Sequence, residues 1–153
     1  VAVMGPGVVG TASPFGHTAV EVAQLADAVS ALGGQPIIIP RISLADPRPR
    51  HRGISHHTLT ALGRLAHSRC TIALPRIDDP GLWDKVHQQL HQWGLLRRHW
   101  VAFWREGPLL ADLPGEWHSR MRSMGRHYAD DAVFFEAAAV AGWLAAQRSE
   151  QPA

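Results

Sequence analysis

The residues best suited to chemistry are concentrated in one polar segment, residues 41–58, which carries four arginines, three histidines and one aspartate. Arg48, Arg50 and Arg52 alternate along a backbone stiffened by proline, and guanidinium groups match phosphate or carboxylate oxygens in pairs. We predict that these arginines clamp an anionic ligand beside the start of the following helix, where free N–H groups favour negative charge. The alternative is a solvated loop held by ion pairs with Asp46 or with a neighbouring subunit.

The histidines of this segment could act together with an earlier one. Imidazole and carboxylate suit zinc, iron or manganese, and five side chains could converge as ligands: His17, His51, His56, His57 and Asp46. Their spacing matches no recognised metal motif, so no metal ligand is assigned, and adjacent histidines at a helix start more often divide between surface and core. We therefore predict that His17, His56 and His57 transfer protons or orient a ligand. Ser55 is predicted to cap the helix rather than to act as a nucleophile.

A glycine-rich segment near the start of the chain is the second candidate for ligand binding. Its G-x-G-x-x-G spacing follows the apolar residues 1–4 and allows a backbone to approach a phosphate. The predicted anion cradle comprises Gly5, Gly7, Gly10 and Thr11. A dinucleotide is less well supported, because Pro14 delays the helix and Arg41 stands where an acidic residue is expected. The cofactor therefore stays unknown, and a purely structural tight turn is the alternative.

The rest of the sequence supplies the elements that position these residues. Strands are predicted at residues 1–4, 36–40, 70–74 and 100–104, where apolar residues run together. Helices are predicted to begin near Thr18, Ser55, Asp79 and Asp130 or Asp131, with a short one at residues 116–124. The first helix is predicted to face inward through Val22, Leu25, Val29 and Leu32. The paired aspartates are assigned to helix caps, and the segment at residues 105–131 to a lid or surface excursion.

Alternation of strands and helices predicts the fold class. We expect a three-layer α/β/α, Rossmann-like domain with right-handed crossovers and a mostly parallel sheet of about four or more strands. In such a sheet the loops that follow the strands meet at one edge, where α/β proteins place their ligands. Four segments should therefore lie together at this edge: residues 5–18, residues 41–58, residues 76–79 and the residues from 105 onward.

Composition limits the class of protein. The 153 residues suit a single α/β domain, residues 1–153, and the formal charge of only +2 does not indicate a nucleic-acid partner. No apolar run approaches the roughly 20 residues that cross a bilayer, so no membrane partner is expected. The single cysteine, Cys70, excludes an internal disulfide and fits a cytoplasmic location. The chain begins inside an apolar run at Val1, and we therefore expect a fragment of a longer protein.

Four stretches carry a family resemblance: GPGVVGT, GHTAVEV, ADPRPRHRGISHHTLTALGR and MGRHYADDAVFFEAAAVAG. They resemble an uncharacterised bacterial family, the domain of unknown function numbered 3866. The resemblance implies longer full-length members, with the present chain as their C-terminal portion. It implies no reaction, cofactor or catalytic residue.

Three functions are compatible with these residues. The leading hypothesis is the binding of an anionic small molecule, such as a nucleotide or phosphorylated metabolite, at the C-terminal edge of the sheet. The first alternative is a non-catalytic assembly module that packs on an N-terminal part of the same protein or on a second subunit, with Trp117 at the interface. The second alternative is a metal-dependent hydrolase that uses the histidines.

Overall fold

The computed structural model describes residues 9–11, 13–106 and 108–149. The predicted strand at residues 1–4 and two members of the predicted cradle, Gly5 and Gly7, lie outside them. The α-helices are α1 (Glu21–Ala31), α2 (His56–Thr60), α3 (Pro80–Gln92), α4 (Leu95–Arg98), α5 (Gly115–Arg120) and α6 (Ala132–Ser149). The strands are β1 (Ile37–Ile38), β2 (Ile42–Ser43), β3 (Gly53–Ile54), β4 (Thr71–Leu74), β5 (Trp100–Phe103), β6 (Arg122–Ser123) and β7 (Arg126–His127). None of these helices is long and apolar enough to cross a membrane.

A parallel sheet with the strand order β1-β4-β5 forms the centre of the fold. All four residues of β4 are buried, as expected for an apolar strand with a neighbour on each side. In the register, Ile37 is opposite Thr71, and Leu74 is opposite Phe103. The predicted α/β class and parallel pairing are thus confirmed. Within the described residues the parallel sheet has three strands, and the further strand predicted at residues 1–4 lies outside them and stays a prediction.

Buried side chains pack against both faces of β4, because neighbouring residues of a strand point to opposite faces. Ile72 and Leu74 belong to the larger apolar cluster, which includes buried residues of α1, α2, α3 and α4. Ala73 belongs to a second cluster with Val140 and Ala141 of α6. The small side chains at these last positions allow α6 to approach the sheet closely.

The polar segment at residues 41–58 is built on a short hairpin, which the sequence did not predict. Strand β2 pairs antiparallel with β3, and Ile42 lies opposite Ile54, both fully buried. The side-chain amide of Gln89 in α3 extends this pairing: its Oε1 accepts from the Ile54 N–H at 2.8 Å and its Nε2 donates to the Ile54 carbonyl at 2.9 Å. Gly53, with φ of +75°, leaves no room for a Cβ beside Gln89. The segment is therefore fixed to α3 rather than free in solvent.

Helix α2 is followed directly by a π-helical turn over Ala61–Leu65. Its wider spacing is seen in the hydrogen bond from the Ala66 N–H to the Ala61 carbonyl, 2.8 Å long, five residues apart. Leu59 of α2 and Leu62 of the π turn are buried. The predicted single α-helix is therefore corrected to five α-helical residues and one π turn.

Helix α1 is preceded by a 3-10 turn over Thr18–Val20 and ends at a glycine, Gly33, with φ of +80°, as predicted. Its predicted inward face is wrong at Leu25 and Leu32, which are 40% and 89% exposed, whereas Val22 packs against the core as predicted. Ala23 and Ala26 are buried instead. The helix contacts the π turn through these small side chains, which permit a closer approach than leucine.

The segment at residues 105–131 contains α5 and a second hairpin, β6-β7, which also was not predicted. Its two-residue loop, Met124 and Gly125, has φ of 50° and 78°, as a type I′ hairpin turn requires. Glu136 of α6 is buried and accepts hydrogen bonds from the N–H groups of Leu109 and Leu110 at 2.8 and 3.0 Å. This carboxylate fixes the loop before α5 to the last helix.

Candidate functional site

Four histidines converge beside the start of α2. The centroids of the His56 and His57 rings are 4.2 Å apart, and the His17 ring lies 4.3 Å from that of His57. The His51 ring is 5.0 Å from both His56 and His57. His17 and His51 are almost fully buried, with exposures of 5% and 1%. The sequence grouped these side chains as a possibility, and the structure brings all four together.

Local structure explains why the rings meet. His51 ends a 3-10 helix over Pro49–His51, and the buried Ser55 follows four residues later at the N-cap of α2. The Ser55 Oγ accepts from the His57 N–H at 3.3 Å and lies 2.8 Å from His51 Nδ1. Ser55 is thus the predicted cap, and it also joins the two histidine-bearing turns.

His17 is brought to the cluster by the end of the glycine-rich segment. Gly10 and His17 form an isolated antiparallel bridge, and a Cβ on Gly10 would lie 2.9 Å from the Cβ of His17. The Thr11 N–H donates to the Gly16 carbonyl at 2.6 Å, which closes the turn. Gly10 and Thr11 therefore shape the loop that holds His17, and their predicted part in an anion cradle stays a prediction.

Several imidazole nitrogens of the cluster are buried without a hydrogen-bond partner in the described part of the chain. They are both ring nitrogens of His17, Nε2 of His56 and Nδ1 of His57. An unsatisfied buried polar group costs about 1–3 kcal/mol, so native proteins rarely leave several together. His99 shows the ordinary arrangement: its Nδ1 accepts from the Cys70 N–H at 3.2 Å and its Nε2 lies 3.0 Å from the Leu62 carbonyl oxygen.

The environment keeps three of these rings neutral at physiological pH. Burial, with the neighbouring histidines, lowers the pKa of His57 to about 3. Burial and the charge of Arg41 lower the pKa of His51 to about 4. The pKa of His56 is also lowered, first by burial and then by the charge of Arg50. The unprotonated imidazoles have lone pairs available for a ligand.

A second group, the arginine network, surrounds the buried carboxylate of Asp46. Arg48 donates to it through Nε at 3.0 Å and an Nη at 2.9 Å, and Arg41 donates at 2.8 Å. Arg126 contributes a longer ion pair at 3.7 Å. Hydrogen bonds from Arg48 hold the pKa of Asp46 far below its usual range, although burial opposes this. Asp46 therefore pairs with these guanidinium groups, and within the described residues it does not belong to the group of possible metal ligands, which the sequence had allowed.

The three predicted clamp arginines have different surroundings. Arg48 forms the ion pair with Asp46 that the sequence offered as its alternative. Arg50 is exposed, and its charge acts on the ring of His56. Arg52 is also exposed, but its backbone carbonyl accepts from Gln89 of α3 at 3.4 Å. The charges of Arg48 and Arg50 both act on the histidine cluster, but only the guanidinium group of Arg48 is held by Asp46.

Two residues of the site come from the far end of the chain, and sequence analysis did not assign them there. Arg126 of β7 bridges Asp46 and Asp131, with its Nε 3.3 Å from the Asp131 carboxylate. The Asp131 side chain, predicted to cap α6, instead accepts from the Ser43 Oγ at 2.5 Å and the Leu44 N–H at 3.0 Å. The sequence predicted only that the residues from 105 onward lie near residues 41–58, because the loops that follow parallel strands meet at one edge of the sheet.

Three histidines of the cluster could hold a metal ion. One nitrogen from each of His17, His56 and His57 can be chosen so that all three lie within 4.8 Å of one another. They form the one such group of histidine, cysteine or acidic side chains within residues 9–11, 13–106 and 108–149. The sequence assigned no metal ligand because no two of the three share a recognised spacing.

Comparison with known proteins places the chain in a family. The family model described as Protein of unknown function (DUF3866) matches residues 1–142. The chain belongs to this family. The match runs over nearly the whole chain, so it supports neither the expected C-terminal portion nor a bacterial source. No curated protein and no solved structure matches. The histidine cluster and the arginine network both lie inside the part that the DUF3866 model covers.

Proposed function

We propose that the protein binds an anionic small molecule, a nucleotide or a phosphorylated metabolite, at the carboxyl edge of the parallel sheet. The observation that carries this proposal is a local surplus of guanidinium groups. Four arginines make up this surplus: Arg41, Arg48 and Arg126 form ion pairs with Asp46, and the charges of Arg41, Arg48 and Arg50 act on rings of the histidine cluster. Only two carboxylates within the described residues, those of Asp46 and Asp131, form ion pairs with these arginines.

The surplus has a physical consequence, because buried charges are stable only when paired and hydrogen-bonded. The Nε of Arg41 is buried and has no partner within the described residues. Burial lowers the pKa of Arg41, although its ion pair with Asp46 at 2.8 Å opposes this. An oxyanion placed between Arg41 and Arg50 would offset this unfavourable term. Guanidinium groups match the oxygens of phosphate in pairs, which favours a phosphorylated ligand.

The proposed roles follow from position. Arg50 contacts the ligand, and Arg48 and Arg41 form the wall fixed by Asp46. His17, His56 and His57 orient the ligand, while Gly10 and Thr11 line the entrance through the turn that holds His17. We place this site in a three-layer, Rossmann-like frame, because buried clusters cover both faces of β4.

The experiment compares melting temperatures with inorganic phosphate or adenosine monophosphate against potassium chloride of equal ionic strength. A ligand present at 100 times its Kd stabilises the folded state by about 2.7 kcal/mol. For a chain of this size that is a rise of roughly 5–11 °C. Arg50→Gln should lower the affinity at least about 10-fold, because a charge-assisted contact is lost. Arg52→Gln, a neighbour of the same type and exposure, should leave it unchanged, because the arginine charges that act on the histidine rings are those of Arg41, Arg48 and Arg50. The proposal thereby narrows the predicted clamp, which included Arg52.

The pair of variants also separates binding from the general stabilising effect of phosphate, which acts by exclusion from the surface. A general effect would be equal in both variants. Equal shifts with phosphate and chloride, or equal affinities in Arg50→Gln and Arg52→Gln, would refute the proposed site.

A further inference from the structure

We infer that His17, His56 and His57 bind one zinc-class divalent metal ion, and that the fourth coordination position is open to the anionic ligand. The identity of the fourth ligand rests on the proposed function, whereas the three-histidine centre does not. The inference stands on the buried nitrogens without partners and on their mutual distances.

The unpartnered nitrogens are difficult to explain without a ligand. Four nitrogens in three adjacent rings have no hydrogen-bond partner in the described residues, and both nitrogens of the nearly buried His17 are among them. A metal ion would accept the lone pair of each ring. By contrast, the buried His99 fills both of its ring positions with backbone groups. Burial alone therefore does not account for the orphaned nitrogens.

The distances suit an ion after a small adjustment. Three atoms within 4.8 Å of one another always enclose a point no farther than 4.8/√3, about 2.8 Å, from each. Zinc–nitrogen bonds are about 2.0–2.1 Å long, so each ring nitrogen must move inward by about 0.7 Å at most. Rotation of the imidazole rings supplies such a movement, because the χ2 torsion of histidine is broad.

The composition of the group indicates the kind of metal and of site. Imidazole nitrogen suits zinc, copper, iron and nickel, whereas magnesium, calcium and manganese prefer oxygen ligands. Three protein ligands with an open fourth position are typical of catalytic zinc centres, and structural centres use four. His51 is not needed as a ligand, since its Nδ1 contacts the Ser55 Oγ at 2.8 Å. Its ring packs against those of His56 and His57, with centroids 5.0 Å from both.

Charge links the metal to the anion. Three neutral imidazoles leave the full charge of a divalent ion uncompensated, next to a rim that already carries surplus guanidinium groups. An anion in the fourth position would neutralise part of the metal charge and part of the guanidinium charge. The metal and the anion should therefore bind cooperatively, and each should raise the affinity of the other by the same factor.

The test uses the whole chain, prepared without a histidine tag, stripped with a chelator and titrated with zinc. We expect one tightly bound equivalent by elemental analysis, and cobalt in its place should show the visible absorption of a four-coordinate ion. His56→Gln should lower the zinc affinity by more than about 100-fold, beyond the loss from an outer-shell change. The double variant His87→Gln, His91→Gln is the control, because these two rings lie 5.9 Å apart on α3, away from the group.

A folding defect in His56→Gln would be recognised by its circular dichroism, and His57→Gln then takes its place. The wild-type chain gives a separate measurement, the shift of histidine ring-nitrogen resonances on zinc addition. Shifts confined to His17, His56 and His57 support the centre. Zinc bound only by the α3 pair, or no stoichiometric zinc, would overturn it.

Sulfate tests the link to the proposed function, because it is a tetrahedral oxyanion that does not precipitate zinc. The zinc affinity should rise at least about 3-fold in sulfate relative to chloride of equal ionic strength. Couplings between two bound ligands are typically about 5–150-fold, so this is a modest threshold. Arg50→Gln should abolish that rise. Zinc binding without this coupling would refute the fourth-ligand assignment and leave the centre. Stabilisation by phosphate without zinc binding would refute the centre and leave the proposed function.

Discussion

Replacement of Asp46 by asparagine is the sharpest test of how the arginine network is held. The Asp46 side chain is 1% exposed, and its two oxygens accept from Arg41 at 2.8 Å and twice from the Arg48 side chain, at 2.9 and 3.0 Å. Asparagine keeps the shape but removes the charge and turns two N–H donors toward guanidinium donors. In the variant, the three arginines Arg41, Arg48 and Arg126 therefore surround an uncharged amide.

The size of the effect follows from the burial of the carboxylate. Breaking a buried ion pair by removing one partner costs about 3–5 kcal/mol when the remaining charge stays buried. Arg41 and Arg126 are only 20% and 18% exposed, but Arg48 is 48% exposed and its charge is partly solvated, so we expect the lower end, about 3 kcal/mol. At roughly 2–4 °C per kcal/mol for a chain of this length, Asp46→Asn should lower the melting temperature by about 6–12 °C. Asp78→Asn is the matched control: its ion pair with Arg76 is 2.7 Å long but 72% exposed at the aspartate, and such pairs contribute about 0–1 kcal/mol.

The pH dependence of the stability difference between the wild type and Asp46→Asn is a second test of the Asp46 ion pairs. Because the folded-state pKa of Asp46 is depressed, its contribution to stability is present above the unfolded-state pKa of about 3.9. It is lost as the pH falls from there toward the folded-state pKa. Urea unfolding of both proteins should show a constant difference from pH 5 to 8 that shrinks below about pH 4. A difference under 1 kcal/mol at pH 7, or one that grows on acidification, would refute the account.

Three further outcomes can be measured by unfolding and labelling. Gly63→Ala should cost about 1–3 kcal/mol, because the added Cβ would lie 2.9 Å from the Trp93 ring, whereas Gly142→Ala, with open space around it, should stabilise α6 by roughly 0.5–1 kcal/mol. Glu136→Gln should cost about 1–3 kcal/mol and speed hydrogen exchange of the two loop amides it holds at 2.8 and 3.0 Å. Cys70, whose pKa burial raises to about 11, should react with a thiol reagent at pH 8 only on unfolding, and fast labelling of the native chain would contradict its burial.

Most regular elements could be predicted from the sequence, because their patterns are local. Apolar runs indicated β1, β4 and β5, and the caps Ser55 and Asp79 marked the starts of α2 and α3. The Asp79 carboxylate accepts from the Leu82 N–H at 2.6 Å, as its place before a proline predicted. The two hairpins were missed because each of their strands has two residues and, unlike the equally short β1, none lies in an apolar run.

The sequence anticipated which histidines lie together, but not all of their contacts. The rule that parallel strands share one exit edge predicted that His17 would meet the histidines of residues 41–58. Sequence could not separate Arg48 from Arg50, because that difference depends on which guanidinium reaches Asp46 in space. Arg126 and Asp131 join the network through contacts across 80 and 88 residues, which no local pattern encodes.

The π-helical turn over Ala61–Leu65 gives the site an unusual relation to the core. A π turn holds one more residue than the α-helical turn it replaces, so it shifts the angular phase of everything beyond it by about 100°. His56 and His57 before the turn and Ala66 after it therefore occupy directions that an uninterrupted helix could not combine. Deleting one residue within the turn would change no side chain at the site, yet it would rotate the histidines away from the direction set by the buried core. Inserting or deleting one residue at this point would therefore change the direction in which the side chains of α2 point relative to the core.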